Sequence, residues 1–186
     1  LTLYNIQGAT YAGLGQLDAA INSYKQALKI KPDYAEAYNN MGTVLQDMGD
    51  LSAAIDSYKQ ALKIKPDFAH AYNNMGLSLK AKGELEAAID SYKQALKIKP
   101  DFAHAYNNMG LSLKAKGDLE AALESYKQAL KISPDFTEAY LSMGNALKGL
   151  VFNTPNSDLI ALIVSLLDKK TSCRPKDIAS AAISLL

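Results

Sequence analysis

Asn40, Asn74 and Asn108 stand 34 residues apart, and an amide recurring at that interval is the strongest chemical signal in the chain. A side-chain amide both donates and accepts, so a row of them can pair with the main chain of an extended peptide whatever its sequence. His70 and His104 recur at the same interval, as do Leu77 and Leu111, and Lys80, Lys114 and Lys148. Two histidines are half of a tetrahedral zinc shell, and no third and fourth ligand accompanies them, so no metal and no cofactor is expected. The lysine row suits acidic residues on a ligand. Cys173 has no histidine at nucleophile spacing, and neither a zinc-protease helix nor a serine elbow occurs; GLSLKAKG has the wrong spacing for a phosphate-binding loop. The chemistry on offer is binding, and catalysis is not expected.

The elements that must position these residues come from a repeat. Ala69 to Phe136 is a 34-residue unit written twice, with substitutions only at Glu84/Asp118, Ile89/Leu123, Asp90/Glu124 and Lys99/Ser133, all of which keep size or polarity. Units at such a period cannot bury an apolar face alone and must stack. Pro32, Pro66, Pro100 and Pro134 mark a helix exit in each unit, and Gly15, Gly49, Gly83 and Gly117 mark the end of the preceding helix, where a left-handed cap is needed. Each unit therefore reads helix, tight turn, helix. Ala71, Tyr72, Met75, Gly76, Ser78, Leu79 and Lys82 fall mostly on one face of a first helix, and Leu85, Ala88, Ile89, Tyr92, Ala95, Leu96 and Ile98 on one face of a second. Gly76 and Ala88 mark the closest approach of the paired helices, and the tyrosines are core.

These anchors resemble the tetratricopeptide repeat, a W-x2-L-G-x2-Y…A-x3-F…P pattern. Tyr38, Met41, Gly42, Leu45, Ala54, Tyr58, Ala61 and Pro66 match it, as do Tyr72, Met75, Gly76, Leu79, Ala88, Tyr92, Ala95 and Pro100, and Tyr106, Met109, Gly110, Leu113, Ala122, Tyr126, Ala129 and Pro134. The first unit departs at Gln7, and a fifth begins with Tyr140, Met143, Gly144 and Leu147 without completing. The resemblance implies an all-α right-handed solenoid over residues 1–150, with repeats 1–34, 35–68, 69–102 and 103–136 and a partial repeat 137–150. It also implies a concave face, formed by positions 2, 5, 6, 9, 12 and 13 of each first helix, that holds extended peptide. Asn40, Asn74 and Asn108 occupy position 6, His70 and His104 position 2, Leu77 and Leu111 position 9, and the three lysines position 12. The asparagines are similar to the ladder in the repeat arm of protein O-GlcNAc transferase, which implies contact with substrate backbone over these three rungs; Ile6 and Ser142 take the place in the outer units.

Residues 151–186 read as two further helices of a different kind. Leu159 to Leu167 and Ile178 to Leu186 are each apolar over about 200° of helix surface. A homodimer through Leu162, Leu166, Ile183 and Leu186 is the expectation for such an excess of apolar face. Net charge is +1, which gives no reason to expect nucleic acid or an anionic membrane, and no apolar run reaches the roughly 18 residues needed to span a bilayer. The single cysteine suits a reducing, cytoplasmic setting. The chain starts at Leu1 without methionine and ends on AAISLL, so it reads as a fragment, with a further repeat expected upstream. The function expected is a protein interaction module that holds an extended, acidic peptide. The alternative is the substrate-recognition arm of a larger transferase.

Overall fold

Gly83 has φ +83°, a left-handed value that costs a residue with a Cβ, and Gly15, Gly49 and Gly117 share the region at +72°, +83° and +94°. At this cap the N–H of Glu84 donates to the carbonyl of Leu79 at 2.9 Å and that of Gly83 to Lys80 at 2.9 Å, which satisfies two carbonyls of the last turn. The chain then reverses within three residues into the next helix. A computed structural model of the protein describes residues 2–148 and Val164. The hairpin residues Leu162, Leu166, Ile183 and Leu186 lie outside the described residues.

Helices α1 (Thr2–Gly13), α2 (Leu17–Ile30), α3 (Ala35–Asp47), α4 (Leu51–Ile64), α5 (Ala69–Ala81) and α6 (Leu85–Ile98) belong to one compact unit, Leu1–Pro100. The second unit, Asp101–Leu186, contains α7 (Ala103–Lys116), α8 (Leu119–Ile132) and α9 (Thr137–Leu147). Among the described residues there is no strand, and no helix is long and apolar enough to cross a membrane. In the first unit each odd helix packs on the even helix that follows it, and α2 and α4 also pack on the next odd helix. In the second, α8 lies against both α7 and α9. This is the helix-turn-helix stacking of an α-solenoid, in each unit taken by itself.

The core is built from small residues that admit large rings. Tyr58 and Tyr126 are fully buried, as is Tyr92, and Tyr24 is nearly so. Each sits over the glycine of the paired first helix: a Cβ on Gly42 would lie 2.7 Å from Tyr58 Cε1, and one on Gly110 would lie 2.5 Å from Tyr126 Cε1. Gly76 is thus a point of closest approach, as its spacing suggests. Alanines 54, 61, 88, 95, 122 and 129 are wholly buried between helices. Ile98 departs from the apolar pattern of its helix: it is exposed, at the last turn of α6.

Glu84 and Asp118 keep the same charge, but they are not equivalent at a helix start. Asp118 caps α8 by accepting from the N–H of Ala121 at 3.1 Å, and Asp50 does the same for α4 from Ala53 at 3.0 Å. Glu84 precedes α6 with the same backbone shape and makes no cap bond; its longer side chain reaches Lys82 Nζ at 2.8 Å instead. That ion pair is half-exposed and contributes little. Glu84→Asp is therefore expected to stabilise the protein by about 1 kcal/mol. Urea unfolding at neutral pH measures it, and a midpoint at or below the parent's refutes the cap.

Candidate functional site

Position 6 is half-buried in α3, α5 and α7, and position 5 beside it is more deeply placed: Asn39, Asn73 and Asn107 are all under 9% exposed. In the first unit the two positions form one hydrogen-bonded chain. Asn73 Nδ2 donates to Asn74 Oδ1 at 3.3 Å, and Asn74 Nδ2 to Asn39 Oδ1 at 3.2 Å. Asn39 Nδ2 donates in turn to Asn40 Oδ1 at 3.3 Å, and Asn40 Nδ2 to Asn5 Oδ1 at 3.3 Å. The ladder joins α1, α3 and α5 and runs in one direction: each position 5 amide donates to position 6 of its own helix, and each position 6 amide donates to position 5 of the preceding repeat. The doublets Asn39-Asn40, Asn73-Asn74 and Asn107-Asn108 are written in the sequence, but periodicity puts position 5 only on the concave face and does not show that its amide links one position 6 amide to the next. Asn40 and Asn74 each keep one N–H and one carbonyl lone pair after these bonds.

The same face of the first unit carries His70, Leu77 and Lys80, of which His70 is exposed and the other two half-buried. Lys80 is in no ion pair among the described residues. Glu36, at position 2, pairs with Lys65 at 3.3 Å, and Lys65 in turn lies over the Phe68 ring at 4.8 Å.

In the second unit the corresponding residues are His104, Asn108, Leu111, Lys114 and Lys148. Exposed His104 packs edge-on against buried Phe136, with ring centroids 4.6 Å apart. Lys114 Nζ donates to the main-chain carbonyl of Asn145 at 3.0 Å, so it caps the last turn of α9. Ser112 Oγ donates to the Asn108 carbonyl at 3.1 Å. Asn107 Oδ1 is buried without a partner. The residue 35 positions on, the spacing that brings Asn74 to Asn39, is Ser142, whose side chain carries no amide to extend the ladder. Among the described residues no three of His, Cys, Asp and Glu are grouped as metal ligands would be.

The buried tyrosines divide by what the face above them supplies. Tyr58 Oη reaches Thr43 Oγ1 at 3.4 Å and Gln46 Oε1 at 3.5 Å, and Gln46 also accepts from Ser78 Oγ at 2.7 Å. In the second unit Leu111 and Lys114 replace Thr43 and Gln46, and Tyr126 Oη is buried with no partner. An unsatisfied buried hydroxyl costs about 1–3 kcal/mol. Tyr126→Phe is accordingly expected to stabilise by about 1 kcal/mol, and Tyr58→Phe to destabilise by a similar amount. Denaturant titration of both checks the opposition of sign; equal shifts in one direction refute it.

Comparison with known proteins agrees with this geometry. A profile of the TPR repeat matches residues 8–49, 44–83, 76–117 and 110–150. A search of curated proteins finds no significant match. Among solved structures, a crystal structure of MamA protein superposes with a TM-score of 0.75 at 30% identity, covering 91% of each chain. MamA residues 41 to the end from Desulfovibrio magneticus RS-1 gives 0.71 at 20% identity over 99% of this chain and 93% of that one. PilF from Pseudomonas aeruginosa gives 0.73 at 24% identity over 78% and 67%. The last two likenesses concern the fold alone. Repeats of this kind are protein-interaction scaffolds with protein partners, and the chain, matched by the repeat profile over most of its length and carrying the buried tyrosine-on-glycine contact in each repeat, belongs to the tetratricopeptide-repeat family.

Proposed function

We propose that the chain is a scaffold that holds an extended segment of a protein partner on the amide-bearing face of its first helices, without catalysis of its own. The observation that carries this reading is the continuous amide chain from Asn73 to Asn5. Its side chains are already held in one rotamer by their mutual bonds, so ligand binding does not have to order them. Each interior amide keeps a donor and an acceptor, the pair that a peptide unit requires. Leu77 supplies apolar contact, and Lys80, without a carboxylate partner, favours an acidic residue on the ligand. In the second unit Asn108, His104, Leu111 and Lys148 offer the same kinds of group. Lys114, engaged with the Asn145 carbonyl, is the weaker lysine for this role.

Asn40→Ala with Asn74→Ala tests the reading. Each lost ligand bond is worth about 0.5–1.5 kcal/mol, so the double variant should bind peptides selected on the parent about tenfold or more weakly. Helix content should be retained, because both side chains are only half-buried. Peptides from a displayed library that bind parent and variant alike refute the amide chain as a binding surface.

A further inference from the structure

The ladder of the first unit ends abruptly, and its end differs chemically from its interior. In repeats 2 and 3 the position 5 amide donates to the position 6 amide of its own helix, Asn39 to Asn40 and Asn73 to Asn74. In repeat 1 the position 6 residue is Ile6, which has no acceptor to offer and is 56% exposed. Asn5 accepts from Asn40, but its own Nδ2 has no acceptor among the described residues. All donors in the chain point toward it, and bonds in series polarise one another, so this terminal N–H group is a strengthened donor. Helix α1, TLYNIQGATYAG, contains no charged residue, so nothing on it would hold a carboxylate. Two repeats away Lys80 offers the opposite preference.

We propose that Asn5 and Ile6 form an end subsite that takes an apolar side chain together with the neutral main-chain carbonyl beside it, and that this subsite fixes the orientation of a bound peptide. The inference rests on the reading of the amide chain as a peptide-binding surface. Ile6 contacts the apolar side chain and Asn5 Nδ2 donates to the carbonyl, while an acidic residue of the same peptide faces Lys80. Helices α1, α3 and α5 are successive neighbours. Packed helices lie about 8–10 Å apart and an extended chain advances about 3.3 Å per residue, so the apolar and acidic residues are about six positions apart. The ligand class is thus an extended segment with one aliphatic and one acidic residue at that separation, in one of the two possible orders.

The test uses fluorescein-labelled, N-acetylated and C-amidated peptides with Leu and Glu about six residues apart in a Ser/Gly background, in both orders. Fluorescence anisotropy is measured with the whole chain and with Ile6→Asn, Ile6→Val, Lys80→Gln and the Asn40→Ala/Asn74→Ala double variant. Ile6→Asn gives Asn5 the acceptor that the interior rungs have and removes the apolar contact. Replacing the peptide Leu by Ser should weaken binding to the parent and to Ile6→Val about tenfold, and to Ile6→Asn by less than about twofold. One peptide order should be preferred by the parent, and the preference should vanish in Ile6→Asn. If the Leu replacement acts equally on parent and Ile6→Asn while the double variant still loses affinity, the end subsite is refuted and the amide surface stands. If the double variant binds as the parent does, both fall. A urea midpoint for Ile6→Asn equal to the parent's shows that the exposed position is not needed for folding, and a lowered midpoint moves the same peptide comparison to Ile6→Ser.

Discussion

Raising the pH from 10 to 12 is expected to unfold the protein in step with ionisation of its buried tyrosines. Burial pushes Tyr58 up to about 12, an effect that Asp47 adds to and that side-chain hydrogen bonding with Thr43 and Ser78 partly offsets. Tyr126 is pushed up to about 12 by burial alone, and Tyr24 is raised for the same reason. A phenol that holds its proton more tightly in the folded chain than in the unfolded one stabilises the fold fully below the unfolded value, near 10, and ceases to do so as the pH rises through about 12. These three groups lie in repeats 1, 2 and 4, so both units lose stability. Absorbance at 295 nm should therefore show two classes among the eleven tyrosines, the buried ones ionising at the pH where helical circular dichroism is lost. Complete tyrosinate formation with helix content unchanged would sink the account.

The second large effect runs against helix propensity. Alanine is normally better than glycine inside a helix by about 1 kcal/mol, yet Gly42→Ala and Gly76→Ala are expected to destabilise, each by about 1–3 kcal/mol. The new methyl on residue 42 would meet Tyr58 Cε1, Cδ1 and Cζ at 2.7, 2.9 and 3.0 Å, and that on residue 76 would meet Tyr92 Cε1 at 2.6 Å. The obstacle in each case is a buried ring closed in by neighbouring helices, and a ring cannot bend aside as the end of a flexible side chain would. Gly13 is the internal control. It is in a helix too, with nothing within 4 Å of where a methyl would go, so Gly13→Ala should gain up to about 1 kcal/mol. Denaturant unfolding of the three variants decides the matter, and a stabilised Gly42→Ala would show that the ring contact yields.

What the sequence determined by itself was the set of features that depend on one residue and its local chain. The left-handed caps at Gly15, Gly49, Gly83 and Gly117, the exits at the four prolines and the burial of one tyrosine per repeat are sterically imposed within a turn or a helix pair, and a 34-residue period repeats the constraint until it is unmistakable. Helix phase likewise placed Asn40 and Asn74 on a shared face. Tertiary structure alone decided which polar atoms meet. A hydrogen bond requires heavy atoms within a few tenths of an ångström of about 3 Å, and periodicity gives the direction of a side chain but not the separation of neighbouring helices. So the partnership of Asn39 with Asn74, the use of Lys114 as a cap for α9, and the orphaned Tyr126 hydroxyl could not be read beforehand. Glu84 and Asp118 show the limit most plainly: one methylene leaves charge and pattern unchanged, and it separates a helix start that is capped from one that is not.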